Sequence, residues 1–350
     1  MGNVTIKDVA RAADVSVATV SRALNGSGNV AVAVRERVCA AAQALRYTPH
    51  PAARSLSSRR TRTLGVVLPE LEDGFLSELL RGINEATREQ GLHLLVSSHL
   101  PDARAQSDAL RAMRGRVDGV LLMAPAADAA AACTDGLADT PTVAINTSVP
   151  GEGVAALCTD NRAGAMAMVR HLVGRGHRRI AFIAGPDGHF DADGRLRGYR
   201  EGLAIHAPGV AHQVVAGDFS EAAGSRAGRL LLASPDRPHA VFAANDLMAL
   251  GCLSAFLQAG LRVPGDIALA GFGDMPAARY VDPALTTVQV APGDLGRRAV
   301  SRLLAQVGPG SRSARVAGGA AGSDGCGGHA EWVPGELVVR ASSAAPSGRG

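Results

Sequence analysis

From Thr63 onward, short apolar runs rich in β-branched residues alternate with stretches of helical periodicity. Residues 64–68, 92–96, 117–122 and 143–145 read as buried strands, and a second series follows at 179–183, 213–215, 240–242 and 267–270. Strands that alternate with amphipathic helices build parallel sheets covered by helices on both faces. Two such series predict two lobes separated by a cleft, with ligands gathering beyond the carboxyl ends of the strands. Few other architectures accommodate this order of elements.

Length and composition agree. A chain of 350 residues holds two or three domains, and 47% hydrophobic with 19% charged residues is ordinary for a globular protein. No run of about 18 apolar residues predicts a transmembrane helix, and the N-terminus lacks the basic-then-apolar pattern of a secretory signal. The five cysteines (39, 133, 158, 252 and 326) are odd in number and scattered, which fits a reduced cytoplasm. Cys326 and His329 form a lone C-x-x-H in glycine-rich sequence, too little for a zinc site. No metal or cofactor is expected.

The charge is unevenly split. Residues 1–63 carry ten Lys and Arg against three acidic residues, a net +7, whereas the remainder carries 26 against 29, a net −3. A basic segment of this kind is the footprint of a nucleic-acid-binding module. Thr5-Ile6-Lys7-Asp8 has the form of a capping box, and Ile6, Val9, Ala10 and Ala13 then share a helical face. After a break at Asp14-Val15, Ser16 suits the N-cap of a second helix in which Val20 and Leu24 point inward. Val17, Ala18, Ser21 and Arg22 occupy its other side, and Asn25-Gly26-Ser27-Gly28 ends it. Val34, Val38, Ala41 and Leu45 form the core stripe of a third helix. Two short helices, a tight turn and a supporting third helix make a helix-turn-helix, whose second helix lies in the major groove. Residues 47–56 (Y-T-P-H-P-A-A-R-S-L) follow, with Pro51 suited to the first position of a short helix.

The strings Val4-Thr5-Ile6-Lys7-Asp8-Val9-Ala10, Val15-Ser16-Val17-Ala18-Thr19-Val20-Ser21-Arg22 and Leu24-Asn25-Gly26 resemble the headpiece of the lactose/galactose-repressor (LacI) family of bacterial transcriptional regulators. The resemblance implies that Val17, Ala18 and Arg22 read bases while Ser16, Thr19 and Ser21 position the helix on phosphates. Thr5, Asn25 and Tyr47 join them as DNA contacts. Small apolar Val17 and Ala18 suit thymine methyls, and Arg22 suits bidentate pairing with guanine. The segment after Tyr47 is similar to the family's hinge helix, which implies DNA contacts for Ala53 and Arg54 and a minor-groove wedge for Leu56. His50 stands where the family commonly has Asn, a weaker cap.

The body resembles the same family's core, which is built like a sugar-binding periplasmic receptor. Matching strings include Arg116-Val117-Asp118-Gly119, Gly176-His177-Arg178-Arg179-Ile180-Ala181, Arg195-Leu196-Arg197-Gly198-Tyr199, Ala244-Asn245-Asp246-Leu247-Met248-Ala249-Leu250-Gly251 and Leu285-Thr286-Thr287-Val288. The expected organisation is an all-α headpiece over 1–48, a hinge over 49–61 and an α/β two-lobed core over 62–341. The N-terminal lobe takes about 62–160 and 291–325, and the C-terminal lobe about 161–289 and 330–341. The Gly-rich stretch 308–330 reads as a flexible loop, and 342–350 as a disordered tail.

For the cleft, the resemblance implies effector contacts at Arg195, Asn245, Phe219 and Asn146, with Phe75 and Asp274 beside them. Arg195 offers a planar fork of donors, Asn245 both a donor and an acceptor, and Phe219 a ring face. A structural alternative stays open for each; Asn245 with Asp246 could simply cap the following helix. Three positions depart from the family pattern. Gly273 stands where a first carboxylate is common, Val290 where a glutamine is, and Asp73-Gly74-Phe75 where Asn-Pro-Phe is. Losing a carboxylate and an amide predicts an effector poorer in hydroxyls than a plain hexose, or more anionic, with Arg195 dominant.

These readings converge on a cytoplasmic, nucleoid-associated repressor. It binds a pseudo-palindromic operator in double-stranded DNA as a homodimer and answers to a sugar, sugar phosphate or related effector. The competing reading is an α/β carbohydrate-binding protein or enzyme without regulatory DNA binding. Against an enzyme, no G-x-G-x-x-G opens a helix after a strand, and no Walker A run or nucleophile elbow is present. No catalytic residue is predicted.

Overall fold

The computed structural model describes residues 4–25, 30–47, 60–69, 74–99, 103–124, 140–147, 154–307 and 330–344. The chain divides into two units, residues 1–63 with 115–118, and the rest. Of the expected hinge 49–61, residues 49–59, with Ala53, Arg54 and Leu56, lie outside the described residues.

In the first unit, α1 (Ile6–Ala12), α2 (Val17–Asn25) and α3 (Val32–Ala44) enclose a core of Val9, Val20 and Val38, each wholly buried, with Ala10, Ala13, Ala23 and Ala42 between them. Ala23 and Ala42 were not among the expected stripe; Leu24, Val34, Ala41 and Leu45 pack at its margin. α1 opens where Asp8 Oδ2 accepts from the Thr5 amide (3.0 Å) and hydroxyl (2.7 Å). It closes in a Schellman motif, with Val15 N–H on Ala10 C=O (3.1 Å) and Asp14 N–H on Arg11 C=O (3.3 Å). That motif needs a left-handed residue, and Asp14 supplies it at φ 50°. The same device ends α3, where Arg46 (φ 51°) takes the left-handed place and Tyr47 N–H reaches Ala42 C=O at 2.8 Å. Arg37 donates from Nε to Ala13 C=O (2.9 Å), so one of the ten basic side chains clips α3 to the turn.

The second unit holds two parallel sheets. In the first lobe, β1 (Thr63–Pro69), β2 (His93–His99), β3 (Gly119–Leu122), β4 (Thr142–Ile145), β5 (Ala155–Thr159) and β11 (Ala330–Val333) run in the order β11-β5-β4-β3-β1-β2. α4 (Gly74–Glu89) and α10 (Pro292–Val307) bury Leu76, Leu79, Ile83, Leu295, Val300 and Leu303 against Val66, Leu68, Val143, Ile145 and Leu157. These helices touch backbone to backbone: a Cβ on Gly82 would lie 2.1 Å from the Gly293 carbonyl oxygen. α5 (Ala103–Met113) precedes β3.

In the second lobe, β6 (Ile180–Ile183), β7 (Gln213–Val215), β8 (Ala240–Ala243) and β9 (Ala268–Ala270) follow the order β7-β6-β8-β9. Helix pairs α6 (Asn161–Gly174) with α7 (Phe190–His206) and α8 (Glu221–Ala233) with α9 (Asp246–Gln258) cover it. At its centre Phe182 stacks on Tyr199 (4.9 Å between centroids) and meets Phe242 edge-on (5.1 Å). The buried Tyr199 hydroxyl donates to Ile180 C=O (2.7 Å), so its polar end is satisfied.

The chain passes between lobes after β5, after β10 (Thr287–Gln289) and before β12 (Glu336–Val338), and the last two strands pair antiparallel. Three sequence expectations need correction. Residues 330–333 belong to the first lobe, not the second, because Ala330 and Val333 pair in parallel with Ala156 and Thr159; the crossing comes only at Pro334. Consequently Ala330 is strand and not loop, while 308–329 lie outside the described residues. The tail does not begin at 342: Ser342 and Ser343 are buried in a short helical turn. The Ser342 hydroxyl donates to Leu269 C=O (2.6 Å) and accepts from Thr286 N–H (2.8 Å), which holds the segment against β9. β5, with Ala155, Ala156 and only one β-branched residue, Thr159, was not anticipated at all.

Candidate DNA-reading surface and effector cleft

On α2 the inward face is Val20 and Ala23, which leaves Ser16, Val17, Ala18 and Arg22 in solvent, with Thr19 and Ser21 half-buried. Ser16 does double duty. Its hydroxyl accepts from Thr19 N–H (3.1 Å) as N-cap and lies 2.9 Å from the Thr19 hydroxyl. Arg22 folds back so that Nε donates to Ala18 C=O (3.3 Å), beside Val17, a valine 41% exposed. An exposed apolar residue, a small one and an arginine on one helical face give a helix that can offer methyl contact and a planar donor fork to base edges. Thr5 is exposed at the N-terminus of α1, and Tyr47 packs at the edge of the head's core. The backbone of Asn25 closes α2; its side chain lies outside the described residues.

The six candidate effector residues fall into three groups inside the core. Arg195, Phe219 and Asn245 meet in the second lobe. Arg195 is buried on α7, its Nε donating to Asn161 Oδ1 (2.8 Å) and Nη1 to Ala244 C=O (2.7 Å). Its guanidinium lies 4.1 Å from the centroid of Phe272 and 5.8 Å from that of Phe219. Asn245 is the N-cap of α9: Oδ1 accepts from Met248 N–H (2.9 Å) and Nδ2 donates to Phe219 C=O (2.8 Å). Asn146 and Phe75 belong to the first lobe and share Thr159 as a neighbour. Asn146 exchanges hydrogen bonds with Thr159 (2.7 and 3.3 Å), tying the end of β4 to the end of β5. Phe75 lines a cavity of about 10 Å³ with Thr159, Val290, Leu295 and Val333.

Asp274 forms the third group. Its side chain, 1% exposed, takes Arg340 Nη2 on Oδ1 (2.6 Å) and both Arg279 Nη2 (2.8 Å) and Gln289 Nε2 (3.0 Å) on Oδ2. Nearby Asp246 is equally buried, accepting from the Thr287 hydroxyl (2.6 Å) and Met275 N–H (2.8 Å). Burial pushes its carboxyl above the usual aspartate range, opposed by those two hydrogen bonds and reinforced by Asp274.

Three of the candidates adopt left-handed backbone: Asn146 at φ 42°, Phe219 at 70° and Asp274 at 55°. Each follows the carboxyl end of a parallel strand, where α/β sheets collect ligands. Non-glycine residues held this way cost energy, and such strain concentrates at ligand clamps. Gly273 has φ 132°, a conformation barred to most side chains, and a Cβ there would face the Asp246 carboxylate at 3.5 Å. Its missing carboxylate is thus matched by the backbone. Val290, where the family commonly has glutamine, lines the same small cavity as Phe75, and the neighbouring Gln289 donates from its amide to Asp274 at 3.0 Å.

Sequence reasoning missed Asn161, His189 and Asp191. Asn161 Nδ2 donates to Asp191 Oδ1 (2.7 Å) while its Oδ1 holds Arg195, and the His189 ring meets Phe219 edge-on at 5.1 Å. A signal existed for Asp191, which stands four residues before Arg195 on the same helical face. None existed for Asn161 once β5 had gone unread.

Two family models match the chain. "Bacterial regulatory proteins, lacI family" covers residues 5–50, and "Periplasmic binding protein-like domain" covers 169–343. The HTH-type transcriptional repressor CytR of Escherichia coli (strain K12) is 36% identical over 315 residues, 88% of this chain and 92% of that one. The chain belongs to the LacI family. The Ribose operon repressor of the same organism is 36% identical over 316 residues, 87% of this chain and 93% of its own length. A lac repressor dimer bound to operator and the anti-inducer ONPF superposes with a TM-score of 0.85 at 28% identity, covering 98% of this chain and 100% of that one. As a LacI-family protein the chain is a DNA-binding transcriptional repressor with a receptor-like core, and the enzymatic alternative falls away. No described helix is long and apolar enough to cross a membrane.

Proposed function

We propose that this repressor acts in the cytoplasm as a homodimer on a two-fold-symmetric operator, reading it with Val17, Ala18 and Arg22 and wedging Leu56 into the minor groove. Its effector binds between the lobes, against Arg195, Phe219, Asn245 and Asp274 on one side and Phe75 and Asn146 on the other. The observation that carries the effector reading is the placement of left-handed Asn146, Phe219 and Asp274 beyond three strand ends in one two-lobed unit. The similar lac repressor dimer, seen on operator with a small molecule, supports the same division of labour.

The chemistry of these side chains narrows the effector. Asn245 is spent on a helix cap and a loop carbonyl, and Asp274 on two arginines, so few groups remain for ring hydroxyls. Arg195, although its Nε and Nη1 are engaged by Asn161 and Ala244, is the one cation among the six candidates, so a sugar derivative poor in hydroxyls or bearing an anion fits the group best. A thermal-shift panel of sugars, sugar phosphates and nucleosides tests this. A ligand present at about 100 times its dissociation constant stabilises by roughly 2.7 kcal/mol. Saturable stabilisation by a neutral hexose, and by nothing anionic, would overturn it.

A further inference from the structure

Phe190 is the first residue of α7, a second-lobe helix that from Gly194 onward lies against α6, where a Cβ on Gly198 would meet the Arg162 carbonyl oxygen at 2.3 Å. Yet the Phe190 ring leaves that lobe. It packs with Ala144, Ala156, Cys158, Val154 and Ala330 of the first lobe and stacks on Trp332 of β11, 6.3 Å between centroids and 13° between planes. The small side chains of Ala144, Ala156 and Cys158 are the buried centre of that cluster, and the two rings, partly buried, pack against them. One residue further on, Asp191 bonds Asn161, which in turn holds Arg195. The aromatic pair is therefore one peptide unit from the chain of contacts that fixes the principal cationic side chain of the second lobe.

We propose that Phe190 and Trp332 form a clamp between the lobes, coupling them by an apolar contact that operates without any ligand and passes lobe displacement to Arg195 through Asp191 and Asn161. Offset stacked rings at this spacing attract beyond their buried area, and sliding one lobe past the other must break that contact. The clamp does not depend on which effector binds.

Trp332 is the chain's one tryptophan, so its fluorescence reports the contact directly. The test uses the ligand-free full chain as wild type, Phe190→Ala, Phe190→Leu, Trp332→Ala and Phe190→Ala/Trp332→Ala, compared by hydrogen exchange and, where Trp332 remains, by acrylamide quenching. Phe190→Ala should raise quenching of Trp332 about twofold and speed amide exchange roughly five- to tenfold at 159–161, 289–291 and 333–335, with β3 and β8 unchanged. Phe190→Leu, which keeps an apolar plug and secures a folded comparison, should fall between. The double variant should exchange no faster than the faster single one. Unchanged exchange at the three crossings, or an even rise through one lobe, would overturn the clamp.

Discussion

Replacing Arg340 by methionine tests how the second lobe is held to its C-terminal segment. Arg340 is 15% exposed and faces a carboxylate only 1% exposed, that of Asp274, at 2.6 Å; its Nη1 also donates to Leu285 C=O at 2.8 Å. Removing one partner of a buried pair costs about 3–5 kcal/mol, because the other charge is left without compensation. Here Arg279, half in solvent, and Gln289 still reach Asp274, so the loss belongs at the lower end, about 3 kcal/mol. For a core of this size each kcal/mol moves the melting temperature by roughly 2–4 °C, so Arg340→Met should melt about 6–12 °C lower by calorimetry. Asp274→Asn combined with Arg340→Met should recover part of the loss, since the uncompensated charge is gone. A shift under about 2 °C, or a double variant worse than the sum of its parts, would refute the reasoning.

Three further outcomes are expected. Burial holds His171 and His177 below the usual histidine range, with Arg175 adding to the effect at His171 and His239 and His171 at His177; at His177 it is opposed by the bond that Nε2–H donates to Ala344 C=O at 3.2 Å. Groups kept neutral by folding contribute stability above their unfolded pKa of about 6.5 and lose it as pH falls. The melting temperature should therefore drop between pH 7.5 and 5.5, and His171→Gln, which can keep the bond to the Ser343 hydroxyl, should flatten that drop; an unchanged slope would contradict the assignment. Gly82→Ala forces α4 and α10 apart and should destabilise by about 1–3 kcal/mol in denaturant titration. Leu56→Ala should weaken operator binding while leaving ligand-induced thermal stabilisation intact; equal loss of both would count against the hinge.

Much of this was legible in sequence because periodicity and backbone chemistry are local. The headpiece showed its cap at Thr5, its break at Asp14 and its stripe through Val38, each set within four residues. Strands rich in valine and isoleucine stood out, whereas β5 did not: its burial comes from neighbours on both sides and not from β-branched residues. Ser342 and Ser343 looked like tail because small polar residues declare nothing; their partners, Leu269 and Thr286, lie more than fifty residues away. At the cleft the side-chain types of Arg195 and Asn245 were readable. Their bracing by Asn161, Ala244 and Phe219 was not, because it exists only once the sheets have formed.

The most direct test of sequence-specific repression is selection of duplexes from a random pool by the full chain, sequenced with and without the best ligand from the thermal panel. The account predicts a two-fold-symmetric motif whose enrichment changes on adding that ligand. It also predicts that Arg22→Met abolishes a guanine preference at one symmetry-related pair of positions. Enrichment without symmetry, or a motif indifferent to Arg22, would contradict it.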